Sequence, residues 1–138
     1  MITYCLDTFA LLSYLHNEKG ADKVQQLLNS AKAKKTKLFM HKINLGELYY
    51  TVYRQEGESS ADLIYGRIKE FPIQFTDDLS EGFLLFAARL KGSYKMSYAD
   101  SFAAALSIQK ELILVTGDPD FKPLEIDERV KILWLAQG

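Results

Sequence analysis

The sequence predicts an α/β fold built on a mostly parallel β-sheet. Short apolar runs, typical of buried strands, alternate along the chain with longer segments whose apolar residues recur at helical spacing. One run, 112–115, is apolar throughout, as strands buried on both faces of a parallel sheet usually are. The length of 138 residues suits one domain, to which we assign residues 1–138.

The predicted elements begin with a strand that ends on a carboxylate. Residues 2–6 form an apolar, partly β-branched run that stops at Asp7, and residues 9–15 have the pattern of a helix packing back on that strand. A turn at 17–20 precedes a second helix, whose apolar stripe starts at Val24. If the sheet is parallel, Asp7 lies at its carboxyl edge, where open α/β sheets bind ligands.

The rest of the chain continues the alternation without a repeat or a low-complexity linker. The later elements are a strand at 38–40, a helix from Asn44 to Glu56 ended by Gly57, a helix from Ser59 to Ile68, a strand at 72–76, a helix from Asp78 to Leu90, a helix from Ser101 to Lys110 and strands at 112–115 and 130–134.

Composition excludes several classes of protein. With 48% hydrophobic and 25% charged residues, the chain has the balance of a globular protein rather than a disordered one. No apolar run approaches the roughly 20 residues that span a bilayer, and no signal peptide is visible, so we expect a cytoplasmic protein. The single cysteine, Cys5, excludes an internal disulfide and is expected to be a small buried hydrophobe. A net charge of −1 neither supports nor excludes a nucleic-acid partner.

Four acids occupy related places at the ends of strands or the starts of helices: Asp7, Glu47, Asp100 and Asp118. Each has a structural explanation as a helix cap. Residues 44–47 and 97–100 resemble capping boxes, and Asp118-Pro119 is a common helix start. Caps explain why an acid precedes a helix, but not why four acids should gather at one edge of a sheet.

Convergence of these carboxylates would favour a bound cation. Like charges within about 4–6 Å raise one another's pKa and repel unless a cation lies between them. A site made of oxygen ligands, without paired Cys or His, suits Mg²⁺ or Mn²⁺ rather than zinc. The sequence therefore predicts a Mg²⁺ or Mn²⁺ site formed by acidic side chains.

Other chemistries have less support. His16 and His41 are too dispersed to suggest a metal pair and are expected to be surface or core residues. No serine lies in a nucleophile elbow, and no glycine-rich phosphate loop follows a strand. A phosphatase using Asp7 as nucleophile is disfavoured because Phe9 stands where such enzymes need a second acid.

The four acids and their neighbours resemble the PIN-domain family, and within it the VapC-like toxins of prokaryotic toxin–antitoxin pairs. The similarity covers nearly the whole chain, in the strand that ends in Asp7-Thr8, the helix that carries Glu47, and the segments 97–102 and 115–121. The resemblance implies a three-layer α/β/α sandwich with a central parallel sheet. It also implies a Mg²⁺- or Mn²⁺-dependent endoribonuclease that leaves a 5′-phosphate and a 3′-hydroxyl, a small antitoxin partner and a homodimer.

The family's acidic quartet matches Asp7, Glu47, Asp100 and Asp118, and the resemblance also matches Thr116 and an extra acid, Asp120. We expect Asp7, Asp100 and Asp118 to hold one or two metal ions, and Glu47 either to bind a metal through water or to orient the attacking water. Thr8 and Thr116 are expected to hydrogen-bond the carboxylates or a substrate phosphate. Some basic residues near the rim of the site are candidates for contacts with the RNA backbone, with a solvated surface position as the alternative for each: Lys32, Lys34, Lys35, Lys42, Arg89 and Lys91.

One alternative from another functional class stays open. If the acids are only helix caps, the domain is a non-catalytic interaction module.

Overall fold

The computed structural model describes residues 1–135 and contains a central sheet covered by helices. The strands are β1 (Ile2–Leu6), β2 (Thr36–His41), β3 (Gln74–Thr76), β4 (Ile113–Thr116) and β5 (Ile132–Trp134). The helices are α1 (Thr8–Leu15), α2 (Ala21–Lys32), α3 (Lys42–Glu56), α4 (Glu58–Ile68), α5 (Glu81–Ser93), α6 (Tyr98–Gln109) and α7 (Lys122–Ile126), with a 3₁₀ turn at Pro119–Phe121.

The sheet has the strand order β3-β2-β1-β4-β5, and every neighbouring pair is parallel. This confirms the predicted mostly parallel sheet. From β1 the chain builds outward through β2 to β3, then crosses back to add β4 and β5 on the other side of β1. The boundary between β1 and β4 is therefore a topological switch point, where a crevice opens outside the carboxyl ends of the strands.

Two apolar cores, one on each face of the sheet, give the three layers that the resemblance implied. Side chains of α1 to α4 pack on one face, and those of α5 to α7 pack on the other. Neighbouring residues of β1 show the alternation, because Leu6 joins the first core and Cys5 joins the second. Burial raises the pKa of the Cys5 thiol to about 12, so this residue is the buried hydrophobe that was predicted.

The start of α3 differs from the prediction. The helix begins at Lys42, two residues before Asn44, because the Nδ1 atom of His41 accepts a hydrogen bond from the Ile43 amide at 3.0 Å and caps the helix. His41 also contacts Asp78 through Nε2, at 2.9 Å from the carbonyl oxygen, and stacks on Phe83 at 5.3 Å between ring centroids. The predicted capping box at 44–47 is therefore wrong.

Smaller differences concern other helix boundaries. The helix α5 begins at Glu81 rather than Asp78, with Ser80 as its cap, whereas α6 begins at Tyr98, directly after Ser97, which confirms the cap predicted there. The short helix α7 was not predicted. Within residues 1–135, no helix has the length and apolar character needed to cross a bilayer.

Candidate metal centre

Asp7 is held at the carboxyl end of β1 by two hydrogen bonds. Its side chain is 1% exposed. One carboxylate oxygen accepts from the Ala10 amide at 2.8 Å and so caps α1, and the other accepts from the Thr116 hydroxyl at 2.5 Å. Asp7 is thus a helix cap, as the structural explanation required, but it is also fixed to the end of the neighbouring strand β4.

Thr116 connects Asp7 to the next acid along the chain. While its hydroxyl donates to Asp7, the same oxygen accepts from the Asp118 amide at 3.0 Å. Asp118 in turn accepts from the Asp120 amide at 2.9 Å and caps the 3₁₀ turn. The expectation that Thr116 bonds a carboxylate agrees with these contacts.

Asp100 reaches the same edge from α6. The hydroxyl of Ser97 caps this helix by accepting from the Asp100 amide at 3.1 Å, and hydrogen bonds from Ser97 to the Asp100 carboxylate oppose the rise of its pKa, as expected for the predicted capping box at 97–100. One carboxylate oxygen from each of Asp100, Asp118 and Asp120 lies within 4.8 Å of the other two. This spacing allows three acidic ligands to surround one small cation.

Electrostatics indicate how costly this arrangement is without a cation. Burial, together with the negative charges of Asp100 and Asp118, raises the pKa of Asp7 to about 8, although the hydrogen bonds from Thr116 and Ala10 oppose the shift. Burial raises the pKa of Asp100 to about 6, and the charges of Asp118 and Glu47 add to that shift. The four predicted acids therefore lie close enough to perturb one another.

Glu47 supplies a further oxygen from the second turn of α3. Its Oε1 atom is buried, yet it has no hydrogen-bond partner among the residues that the structure describes. A buried carboxylate oxygen without a partner is expensive unless an ion or a bound water satisfies it. Together with the all-oxygen donor set, this orphaned atom fits Mg²⁺ or Mn²⁺ rather than a softer metal.

The other predicted threonine has a different task. The hydroxyl of Thr8 donates to the backbone carbonyl of Asn44 at 3.0 Å, so the expected bond to a carboxylate is wrong, whereas the other expected bond, to a substrate phosphate, stays a prediction. Asn44 is fully buried, and its Nδ2 atom donates to the carbonyl of Ala99 at 3.1 Å. These two bonds join the first turns of α1, α3 and α6, the helices that directly follow Asp7 or carry Glu47 and Asp100.

Sequence reasoning missed both Asn44 and His41 as organisers of this edge. Asn44 had been interpreted as a cap, and a single histidine gave no sign of its role. The only available signal was their position between an apolar strand and a helix that carries an acid.

The predicted RNA-binding cations are divided between the two edges of the sheet. The strand β2 starts at Thr36 beside Ile2, the first residue of β1, so the preceding lysines at 32, 34 and 35 lie at the amino edge. Their expected place near the rim of the site is wrong. Lys42 follows β2 at the carboxyl edge, and its Nζ atom lies 3.8 Å from Oδ2 of Asp77. Arg89 and Lys91 are exposed on α5.

Comparison of the whole sequence with models of protein families finds a match. The model of the PIN domain matches residues 4–126, a span that includes all four acids and Asp120. The chain belongs to the PIN-domain family. We found no match among curated protein sequences.

Solved structures share this PIN fold over nearly the full length of the chain. A chain of VapBC2 from Rickettsia felis, bound to a DNA fragment from its promoter, is 18% identical with a TM-score of 0.71, covering 98% of this chain and 100% of that one. A chain of VapBC-1 from nontypeable Haemophilus influenzae is 17% identical with a TM-score of 0.71, and the match covers 99% of this chain and 100% of that one. The sarcin-ricin loop cleaving toxin VapC20 from Mycobacterium tuberculosis is 15% identical with a TM-score of 0.67, and the match covers 87% of this chain and 93% of that one.

Proposed function

We propose that this PIN domain is a Mg²⁺- or Mn²⁺-dependent endoribonuclease and the toxin of a VapBC-type toxin–antitoxin pair. The observation that carries the proposal is the gathering of Asp7, Glu47, Asp100 and Asp118 at the switch point, with a buried Glu47 oxygen that no described residue satisfies. The similarity in fold to VapBC chains, one of them an RNA-cleaving toxin, supports the choice of substrate.

The acids have different roles in the proposed site because their surroundings differ. Asp100 and Asp118 would hold the ion, with Asp120 close enough to join them. Asp7 remains a candidate ligand because each of its oxygens keeps a lone pair after accepting one hydrogen bond. Its bond to Thr116 also fixes the loop that carries Asp118.

Glu47 would orient the water that attacks the phosphate, because its buried oxygen has no competing partner among residues 1–135. When bound, a divalent cation would lower the pKa of a coordinated water and neutralise negative charge on the phosphate. The pKa of Asp100 is raised to about 6 by burial but still lies below neutral pH, so this carboxyl is mostly ionised there and can act as a ligand.

The antitoxin would cover an aromatic face formed by α3 and α4. Tyr50, Leu63 and Tyr65 are exposed there by 49%, 68% and 41%, which is unusual for large apolar side chains on neighbouring helices. An apolar segment of a small partner fits such a surface. A homodimer is also part of the proposal, and sedimentation of the purified chain with and without its antitoxin tests both assemblies.

A non-catalytic interaction module is the second candidate, and one observation favours it. Asp7 and Asp118 do cap the elements that follow them. The cap explanation also accounts for Asp100, the acid of the box capped by Ser97, but it leaves Glu47 without a role, because His41 is the cap of its helix. Titration calorimetry with Mn²⁺ separates the candidates: a nuclease binds the ion and gains thermal stability, whereas a module shows neither effect at millimolar metal.

Asp100→Asn tests the proposed reaction. We expect this variant to keep its fold and to lose cleavage of single-stranded RNA in Mg²⁺ or Mn²⁺, since it removes one negative ligand. Asp22→Asn is a matched control, because Asp22 is an exposed acid in the first turn of α2. Undiminished cleavage by Asp100→Asn would rule out this assignment.

A further inference from the structure

An exposed aromatic ring lies directly against the loop that carries the acids. Phe9 follows Asp7 by two residues, in the first turn of α1, and is 38% exposed. A Cβ atom placed on Gly117 would lie only 2.3 Å from Cε1 of the Phe9 ring. The ring therefore rests on the one residue between Thr116 and Asp118, at the boundary of β1 and β4.

This placement depends on the absence of a side chain at position 117. The Phe9 atoms Cζ and Cδ1 would also lie at 2.7 Å and 3.0 Å from such a Cβ, so one edge of the ring occupies the space that a side chain would need. The backbone at Gly117 does not have a positive φ, so its conformation does not require glycine. Close approach of the Phe9 ring is the physical reason for a glycine here.

A single exposed aromatic residue is usual on a protein surface. Phe9 differs in its position, because the surface around it is rich in negative charge. Carboxylates at 100, 118 and 120 repel a polyanion, and the Nζ atom of Lys42, at the start of α3 on this edge, lies 3.8 Å from Oδ2 of Asp77. A divalent cation held by these acids would attract the phosphate of a substrate, so a contact for the neighbouring base has to come from an uncharged group.

We propose that the Phe9 ring is a stacking platform for an unpaired base of the RNA, next to the phosphate that is cleaved. This inference rests on the proposed nuclease function and specifies its substrate as single-stranded at that nucleotide. Every base has a π-face, so stacking on an aromatic ring attracts RNA without reading its sequence. Bases in a duplex are already stacked on one another and cannot use the platform.

The test measures RNA binding separately from cleavage. Both variants are made in the Asp100→Asn background, and affinity for a fluorescein-labelled single-stranded RNA of about ten nucleotides is measured by anisotropy in Mn²⁺. We expect Phe9→Leu to weaken binding roughly 5- to 150-fold, the range for loss of one stacked base. Phe9→Trp keeps an aromatic face and should bind at least as tightly as the parent.

Two controls make the result specific. Ile126→Ala removes an apolar side chain that is 68% exposed on α7, and should leave affinity unchanged. Replacing single bases of the RNA with abasic sites should weaken binding at one position, and at that position Phe9→Leu should cause no further loss. A duplex of the same sequence should bind the parent and Phe9→Leu alike.

The outcomes separate this inference from the function on which it rests. If the wild-type chain cleaves RNA but Phe9→Leu binds single strands as tightly as the parent, the platform is wrong and the nuclease assignment stands. If the wild-type chain neither cleaves nor binds RNA in Mn²⁺, both are wrong. A Phe9→Leu effect that is equal on single strands and duplexes would also overturn the platform.

Discussion

The hydroxyl of Thr116 and the carboxylate of Asp7 are joined by a 2.5 Å hydrogen bond between the neighbouring strands β1 and β4. Because the same hydroxyl accepts from the Asp118 amide, one buried oxygen sets the positions of two acids from distant parts of the sequence. The geometry of the acidic edge therefore depends on a neutral residue.

Thr116→Val should reveal this dependence. Valine has a similar shape but cannot donate to Asp7 or accept from Asp118, so a buried carboxylate loses a partner. We expect a loss of about 1–3 kcal/mol in the free energy of unfolding, measured by urea denaturation at pH 7. Thr116→Ser keeps the hydroxyl and should lose less. Equal stability of the valine variant and the wild type would show that the bond contributes nothing.

Metal-free protein should become less stable as the pH rises from about 4 to about 8. The pKa of Asp7 is raised from 3.8 to about 8 and that of Asp100 from 3.8 to about 6, so the folded chain retains protons that the unfolded chain releases. The stabilisation from these protons is complete below the unfolded pKa and is lost as the pH passes the folded values. Urea denaturation in a chelator at several pH values measures the slope.

Asp7→Asn provides the control for that pH dependence. The amide cannot ionise, so this variant should have a flatter profile and should exceed the wild type in stability at pH 8 without metal. If the dependence of unfolding free energy on pH has the same slope in this variant as in the wild type, Asp7 is not the source of that dependence.

Asp120→Asn tests the third member of the acidic cluster. Its carboxylate lies within reach of the same point as those of Asp100 and Asp118, although the residue itself is exposed. If Asp120 contributes to the ion site, calorimetry should show Mn²⁺ affinity reduced by about tenfold or more, the scale seen for groups that support metal ligands. The Asp22→Asn variant, at an exposed acid, is again the control. If Asp120→Asn and Asp22→Asn bind Mn²⁺ with the same affinity, Asp120 does not contribute to the ion site.

The contact between Phe9 and Gly117 predicts a coupled pair of substitutions. Gly117→Ala should destabilise the wild type by about 1–3 kcal/mol, because the new methyl group meets the Phe9 ring. In a Phe9→Ala background the same change should cost much less, giving an interaction energy of about 0.5–3 kcal/mol in a double-mutant cycle. Additive effects in thermal or urea unfolding would show that the ring is not what excludes a side chain at position 117.

His41→Ala should destabilise the chain more than an ordinary surface change. It removes the cap on the Ile43 amide, the contact with the Asp78 carbonyl and the stacking on Phe83. Loss of a cap alone costs about 0.5–2 kcal/mol, and the buried ring adds to this. His41→Asn can restore the cap and should recover part of the loss in urea denaturation. No recovery would place the main contribution in the ring contacts.

The sequence was sufficient for the acids because topology determines where they lie. In an all-parallel sheet, an acid after β1, one after β4 and one in the first turn of α6 must share an edge, whichever side chains surround them. The alternation of apolar runs and helical patterns was therefore enough to bring Asp7, Asp118 and Asp100 together.

Features that depend on side-chain partners were less predictable. Asn44 is a residue type common at helix caps, but His41 is the cap of α3. The ring of His41 packs on Phe83 and Phe102, which are distant from it in the sequence, so this contact could not be predicted from local pattern. The lysines at 32, 34 and 35 were placed by charge alone, whereas the pairing of Thr36 with Ile2 determines their edge. The closeness of Phe9 to Gly117 has no local sequence signal at all.

The strand order has a consequence for synthesis of the chain. The central strand β1 precedes its neighbour β4 in the chain, and Thr116 follows Asp7 by 109 residues. Until residues 113–118 emerge from the ribosome, one edge of β1 stays unpaired and Asp7 lacks Thr116. A nascent chain or one truncated before residue 113 therefore cannot assemble the acidic edge, so any activity that depends on it arises only after residues 113–118 have been made.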